Sequence, residues 1–393
     1  QLNTMSKPLT FLINPRSAQI LSMLLLVLSI LSFKQLNSKN IISNYNDYPL
    51  TKSNFTLTKI TEDLNYPWGI TFVNDYEVLI TEKEGRIHKV NVIDGSKVEI
   101  THNIPNILAS QQGGLLDILY HKGFVFVTYS YVYDYKTNKS CTAIGRGKLI
   151  KNKIENFENL FVSQPPIESG KHFGSRLVIV DNFLFAGIGE RGKGMIAQDP
   201  TKHPGSFIRI SLDGKVPSDN PGFESKTNWL PEIFSIGVRN PQGMTLSPFT
   251  GDIYFSQHGP RGGDNIGIVK KSANFGWKEI AWGGKEYYGK KIGIAAFDNK
   301  YELPVKSWVP SIGVGNIVFY QGKTFPEWVG DLFVTSTKSK MLIRLDFEKN
   351  KIVNEEIIIK EKIGRIRDVE LNGKGEIFLI TDEANSFLWK LSK

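Results

Sequence analysis

Lys171-His172-Phe173-Gly174-Ser175-Arg176 stands immediately before a strand-like run. A histidine there is placed to face a rim or channel, and a neutral imidazole can take a proton near pH 7. On its own, such a histidine is more often structural. Gln111-Gln112-Gly113-Gly114 holds the matching place before another run, and there the glycines allow close backbone approach to a ligand. Arg239-Asn240 precedes a third such run, and Arg365-Ile366-Arg367 leads into a fourth. Lys338 ends the second strand of a further unit. Each cation alone is an ordinary surface ion-pair partner. Together, Arg239, Lys338, Arg365 and Arg367 at equivalent places favour a polyanionic ligand, since guanidinium and ammonium groups pair with carboxylates. His258-Gly259-Pro260 and Gly262-Gly263-Asp264 form a loop whose carbonyl oxygens suit Ca²⁺, a hard cation. The loop lacks the acidic spacing of an EF-hand.

These residues need a scaffold that repeats. From about Thr56 onward, short β-branched and aromatic runs alternate with Gly, Asn, Asp and Pro, which is a strand signature. One unit recurs: strand, tight turn, strand. It occupies Gly69–Thr81, Leu115–Ser130, Ser175–Gly189, Gly243–Ser256, Asn316–Ser336 and Arg367–Thr381. In the fourth unit the strands are expected at Gly243–Leu246 and Asp252–Ser256, around a turn at Pro248–Gly251. Six irregular copies indicate an all-β chain folded as a six-bladed β-propeller, with a large β-sandwich or barrel as the competitor. The spacing exceeds that of compact repeats, so the excess lies in loops, where function concentrates.

The 393 residues are 40% hydrophobic and 11% aromatic, enough for a large core. The formal net charge is +9. Lys7, Arg16, Lys34 and Lys39 supply part of it from a segment without acids, and the rest shows no dense basic block. A nucleic-acid partner would need a clustered basic footprint. Cys141 is the single cysteine, which excludes an internal disulfide and a cysteine metal cluster. Ser17–Phe33 is uncharged and flanked by basic residues, and reads as a signal peptide or a short membrane anchor. Export to a periplasmic or extracellular compartment follows. The expected organisation is a signal or anchor segment over 1–40, a linker over 41–55 and a propeller over 56–393. Gly187-Ile188-Gly189-Glu190-Arg191-Gly192 fits G-x-G-x-x-G but lacks strand–helix context, so it reads as a blade turn.

Taken in order, PWGI (Pro67–Ile70), QGGLLD (Gln112–Asp117), HFGSRLV (His172–Val178), GIGERG (Gly187–Gly192), LDGKVPSDNP (Leu212–Pro221), PEIFSIGVRNPQG (Pro231–Gly243), HGPRGGD (His258–Asp264), NFGW (Asn274–Trp277) and GRIRDV (Gly364–Val369) resemble the soluble PQQ-dependent aldose sugar dehydrogenases, or glucose/sorbosone dehydrogenase-like family. The resemblance covers about Leu57 to Leu391. It implies a six-bladed propeller holding pyrroloquinoline quinone (PQQ) and Ca²⁺ at one mouth of its channel. It implies oxidation of an aldose at C1 to the lactone, with electrons passed to an external acceptor. By motif, His172 matches the general base. Arg239 and Asn240 match the residues beside the reactive quinone carbonyl, and Gln112 a polar contact near cofactor and substrate. Lys338, Arg365 and Arg367 match cations that bind the quinone carboxylates, and the carbonyls of Gly259 and Pro260 match calcium ligands. Three departures stand out: Asp117 where the family has Gly, Asn265 where it has Glu, and Phe275 where Tyr is frequent. The second of these puts a further, structural calcium in doubt. The competing reading is a non-catalytic extracellular propeller that binds a ligand. A lactonase-type propeller would need a carboxylate-rich metal centre, and this cluster is cationic.

Overall fold

In the computed structural model, residues 41–226, 228–348 and 351–393 are described. The apolar segment Ser17–Phe33 lies outside them. The body from Ser43 onward is six antiparallel sheets. In chain order their innermost strands are Pro67–Phe72, Leu115–His121, Gly174–Val180, Pro241–Leu246, Val314–Phe319 and Ile366–Leu371. Each innermost strand packs beside the next, and the sixth packs beside the first, which closes the ring. Among the described residues of this body, helix is confined to four 3₁₀ segments, among them Gly194–Gln198 and Pro326–Trp328. The six-bladed propeller expected from the repeats is therefore the observed fold.

Two details differ from the repeat pattern. In the fourth blade the strands run Pro241–Leu246 and Ile253–Gln257, so Gln242 lies inside a strand rather than ahead of it. In the sixth blade, Thr56–Leu64 pairs with Ser386–Ser392 as the outermost strand, with Leu57 opposite Leu391. The start of the propeller thus closes its end. It pairs the N–H and C=O groups of Ser386–Ser392 and itself becomes the blade's outer edge.

Blades bury their apolar faces against each other. Phe207 of the third blade packs on Phe255 of the fourth at 4.7 Å between ring centroids, and Phe275 sits edge-on to both. A phenyl ring fills that gap without a hydroxyl to satisfy, which accounts for Phe275 at this position. Trp282 is fully buried in this same cluster, and Trp308 and Trp328 in two others.

All six innermost strands carry a register irregularity against their partner, between Pro67 and Ile70, Leu115 and Ile118, Gly174 and Leu177, Pro241 and Gly243, Val314 and Ile317, and Ile366 and Asp368. A bulge re-aims side chains. Here it delivers Trp68, Asp117, Arg176, Gln242, Asn316 and Arg367 at one level of the ring. Below the mouth, Arg176 forms the hub. Its Nη1 donates to Asp117 Oδ1 at 2.6 Å and to Asp368 Oδ2 at 2.8 Å, and its Nε donates to the Gln242 carbonyl at 2.9 Å. Asp117 also accepts the Leu177 N–H at 2.7 Å. Asp368 accepts the Ile70 N–H at 3.1 Å and the Asn316 amide at 2.6 Å. One buried network therefore touches all six blades. Asp117, a departure when met in sequence, is one of its two anions. Burial pushes its carboxyl up to about 7 despite the Arg176 guanidinium.

Candidate active site

The mouth above this hub is built from the loops that enter the innermost strands and leave the second strands. His172 enters the third blade in the left-handed region, at φ 51°, and its N–H donates to Gln112 Oε1 at 2.8 Å. Gln112 in turn donates its N–H to the Gly170 carbonyl at 3.1 Å. The imidazole Nδ1 lies 2.5 Å from Glu190 Oε1, and Glu190 Oε2 accepts the Gly194 N–H at 2.6 Å. Glu190 directly follows the second strand of the same blade, Phe183–Ile188 and its turn. Burial drives the His172 pKa down; the Glu190 hydrogen bond opposes this and the nearby Arg239 charge adds to it. Burial also pushes on Glu190, but the bond from His172 holds its carboxyl below the usual range. The pair is therefore a neutral imidazole with its Nδ1–H given to a carboxylate. Its Nε2 lone pair is left to accept a proton.

Arg239 and Asn240 enter the fourth blade beside it. The Arg239 N–H donates to Gln257 Oε1 at 2.8 Å, its Nη1 donates to the His258 carbonyl at 3.2 Å, and its guanidinium lies over the Trp277 ring at 5.3 Å. Asn240 Oδ1 accepts the Gly174 N–H at 3.0 Å, which ties the third blade to the fourth. Its amide nitrogen lies 3.4 Å from His258 Nδ1. Burial pushes the His258 pKa down to about 3, so that ring is neutral.

A cavity of about 250 Å³ opens here, lined by Trp68, Lys83, Gln112, Asn240, Gln242, His258, Arg365 and Arg367, among others. Arg367 donates to Gln242 Oε1 at 2.9 Å and pairs with Asp382 at 2.5 Å; Arg365 reaches the same carboxylate at 3.5 Å. Although burial raises it, the Asp382 carboxyl is held below its ordinary range by Arg367. Lys83 donates to the Gln111 carbonyl at 2.9 Å, and burial lowers its pKa. The Nε atoms of Arg239 and Arg367 and the Nε2 of His258 are buried without a hydrogen-bond partner among the described residues. A mouth with buried, unsatisfied donors and a surplus of cations fits a ligand carrying several carboxylates and carbonyls.

A chain of this kind matches the family model described as Glucose / Sorbosone dehydrogenase over residues 64–390. The protein belongs to the glucose/sorbosone dehydrogenase family. It is 34% identical over 344 residues to the aldose sugar dehydrogenase YliI of Escherichia coli, covering 85% of this chain and 91% of that protein. It is 25% identical over 439 residues to quinoprotein glucose dehydrogenase B of Acinetobacter calcoaceticus, covering 88% and 91%. Among solved structures, the apo-form of the soluble aldose sugar dehydrogenase from Escherichia coli superposes with a TM-score of 0.82 at 32% identity, over 86% of this chain and 99% of that one.

At this mouth most of the residues singled out by sequence converge. Gln112, Asn240, Arg365 and Arg367 line the cavity, and His172 and Arg239 flank it through the contacts above. Lys338 is the exception. The fifth blade's second strand ends at Ser336, so Lys338 lies beyond it, exposed, with its ammonium on the Ser311 carbonyl at 3.0 Å. Its neighbour Thr337 lines the cavity instead. Three residues escaped sequence reasoning: Glu190, Lys83 and Asp382. Each directly follows, or lies one turn beyond, the second strand of its blade, an outlet position that sequence could have flagged.

The Gly/Pro loop is organised by Asp264. Its carboxylate accepts the N–H groups of Gly259 at 2.8 Å, Gly313 at 2.6 Å and Val314 at 2.9 Å. Asn265 donates to the Gly263 carbonyl at 2.8 Å and accepts from Gln257 at 3.2 Å, so it clasps the loop. A Cβ at Gly259 would meet the Gly263 carbonyl carbon at 2.4 Å, which is why this turn needs glycine. The Gly259 and Pro260 carbonyls accept no hydrogen bond among the described residues. Two free carbonyl oxygens in a fixed loop suit a hard cation. No group of three or more His, Cys, Asp or Glu side chains that could hold a metal ion is present among the described residues.

Proposed function

We propose that this protein oxidises the C1 hydroxyl of aldose sugars to the lactone, with PQQ as cofactor and Ca²⁺ beside it, and passes the electrons to an external acceptor. The observation that carries the reading is the His172–Glu190 pair at the edge of a cation-lined cavity. Family membership and the likeness to a quinoprotein support it. When bound, PQQ with Ca²⁺ supplies a two-electron acceptor polarised by a Lewis acid.

The chain's own residues do the rest. His172 Nε2 takes the proton of the C1 hydroxyl as the C–H bond breaks. Glu190 fixes the tautomer and steadies the positive charge the imidazole gains. Arg239 and Asn240 would supply hydrogen-bond donors that stabilise negative charge on the cofactor. Arg365, Arg367 and Lys83 would hold its carboxylates, with Arg367 kept in place by Gln242 and Asp382. Gln112 seats the base through the His172 N–H and presents its amide to the cavity. The carbonyls of Gly259 and Pro260 would hold Ca²⁺. Lys338 keeps two N–H donors beyond the one given to the Ser311 carbonyl. Reduction of an artificial electron acceptor in the presence of an aldose tests the reading; it should require PQQ, Ca²⁺ and His172.

A further inference from the structure

The turn Gly187–Gly192 supplies Glu190 to the imidazole, but its next residue has no part in the chemistry so far. Arg191 is turned inward and is 2% exposed. Its Nε donates to the Lys171 carbonyl at 2.9 Å. Its Nη1 donates to the Ser140 carbonyl at 2.6 Å, and its Nη2 to the Ser140 hydroxyl at 3.1 Å and to the Ser169 carbonyl. The guanidinium lies over Phe173, 3.7 Å from the ring centroid. The Arg191 N–H donates to the His172 carbonyl at 3.2 Å. One residue therefore grips the chain at Ser169, Lys171, His172 and Phe173, on both sides of the base. A Cβ at Gly189 would collide with the His172 carbonyl, so glycine lets the turn come this close.

The gripped segment runs against ordinary backbone preference. His172 has φ 51° and Ser175 φ 105°, both positive, where residues with a side chain are uncommon. Such a backbone persists where its surroundings over-determine it. Gln112 holds the His172 N–H and Glu190 holds the ring. Neither fixes the peptide units ahead of the base, and Arg191 does. Every hydrogen-bond partner of its guanidinium among the described residues is neutral, and burial pulls its pKa down to about 10. A buried charge without a carboxylate partner is costly, so a neutral side chain would close a turn at less cost. What the guanidinium adds is several donors in one rigid plane, which a flexible ammonium does not reproduce.

We propose that Arg191 is a positioning residue for the base: by holding the carbonyls of Ser169, Lys171 and His172, it sets where the His172 imidazole stands against Glu190 and the C1 hydroxyl. The proposal rests on the reading of His172 as the base. Arg191 itself is not among the residues lining the catalytic cavity, so it acts through His172 alone.

The test compares Arg191→Lys with wild type by two readouts. In protein loaded with PQQ and Ca²⁺, kcat on glucose per bound PQQ should fall about ten- to a hundredfold, the scale of a misplaced reacting group. KM and the PQQ Kd should stay within about twofold, because binding is not what is lost. In ¹⁵N-histidine-labelled protein without cofactor, the His172 Nδ1–H resonance, assigned by its absence from His172→Ala, should move upfield or broaden as the bond to Glu190 loosens. Ser140→Ala removes one acceptor of Arg191 and leaves no charge behind. It should move both readouts the same way by less, and it carries the test if Arg191→Lys does not fold. A merely structural role would lower Tm and leave kcat per bound PQQ within about twofold of wild type. That result, or an unmoved resonance in the folded variants, overturns the proposal. A wild type that oxidises no aldose is a failure of the catalytic reading instead, and the resonance then decides the positioning by itself.

Discussion

Replacing Arg176 with Met should destabilise the whole propeller and do so in a pH-dependent way. Arg176 is 3% exposed and bonds to two buried carboxylates, Asp117 and Asp368, and to the Gln242 carbonyl. Removing one partner of a buried charge network leaves the others uncompensated, at a cost of about 3–5 kcal/mol. A propeller of this size has an unfolding entropy on the order of 0.7 kcal/mol/K at roughly 2 cal/mol/K per residue, so a loss of about 4 kcal/mol lowers Tm by about 5–6 °C. The sign with pH follows from Asp117, whose carboxyl is raised from 3.8 to about 7 in the folded state. Between those values the folded chain holds a proton that the unfolded chain has released, so this group's contribution falls as pH rises. Without Arg176 both carboxylates lose their counter-charge, and the Asp117 carboxyl moves further up. The deficit should be largest near pH 8 and shrink towards pH 5. Differential scanning calorimetry at both pH values measures it. Arg176→Met combined with Asp368→Asn should recover part of the loss. A Tm within about 1 °C of wild type at pH 8 would refute the hub, since buried charge loss cannot cost so little. So would a deficit that grows on acidification.

Other substitutions probe the mouth. Glu190→Gln keeps an acceptor for the imidazole but removes the charge that raises its pKa. It should lower kcat at least about tenfold and move the acid limb of kcat/KM to lower pH; an unmoved limb would place Glu190 outside the mechanism. Arg367→Ala should weaken PQQ binding, measured by calorimetric titration, by about 10- to 100-fold, the scale of a lost charge-assisted hydrogen bond. Asp264→Asn leaves at least one of three N–H groups without its carboxylate acceptor. It should cost about 2 kcal/mol and raise the Ca²⁺ concentration for half-maximal activity.

Local pattern carried much of this architecture. Each hairpin sets two apolar, β-branched or aromatic runs around a turn, so six units stand out along the chain. Pairing of Thr56–Leu64 with Ser386–Ser392 did not, because a strand's period says nothing of a distant partner. Asp117 met the same limit: its counter-charge, Arg176, is 59 residues away. His172, Arg239, Asn240 and Arg365 were readable because each sits just before an innermost strand, and Arg367 because it is the second residue of one. Lys338 was placed by counting to a strand end that comes two residues earlier, at Ser336. Glu190 was hidden inside a glycine-rich turn that reads as punctuation. Only the fold brings its carboxylate onto the imidazole of His172.

The most direct test is reconstitution. Purified protein is mixed with PQQ and Ca²⁺, and reduction of an artificial electron acceptor is followed across a panel of aldoses, with EDTA and His172→Ala as controls. The account predicts turnover that needs both PQQ and Ca²⁺ and collapses in the variant. Failure of PQQ to bind at micromolar concentration, or turnover that His172→Ala leaves intact, would contradict it.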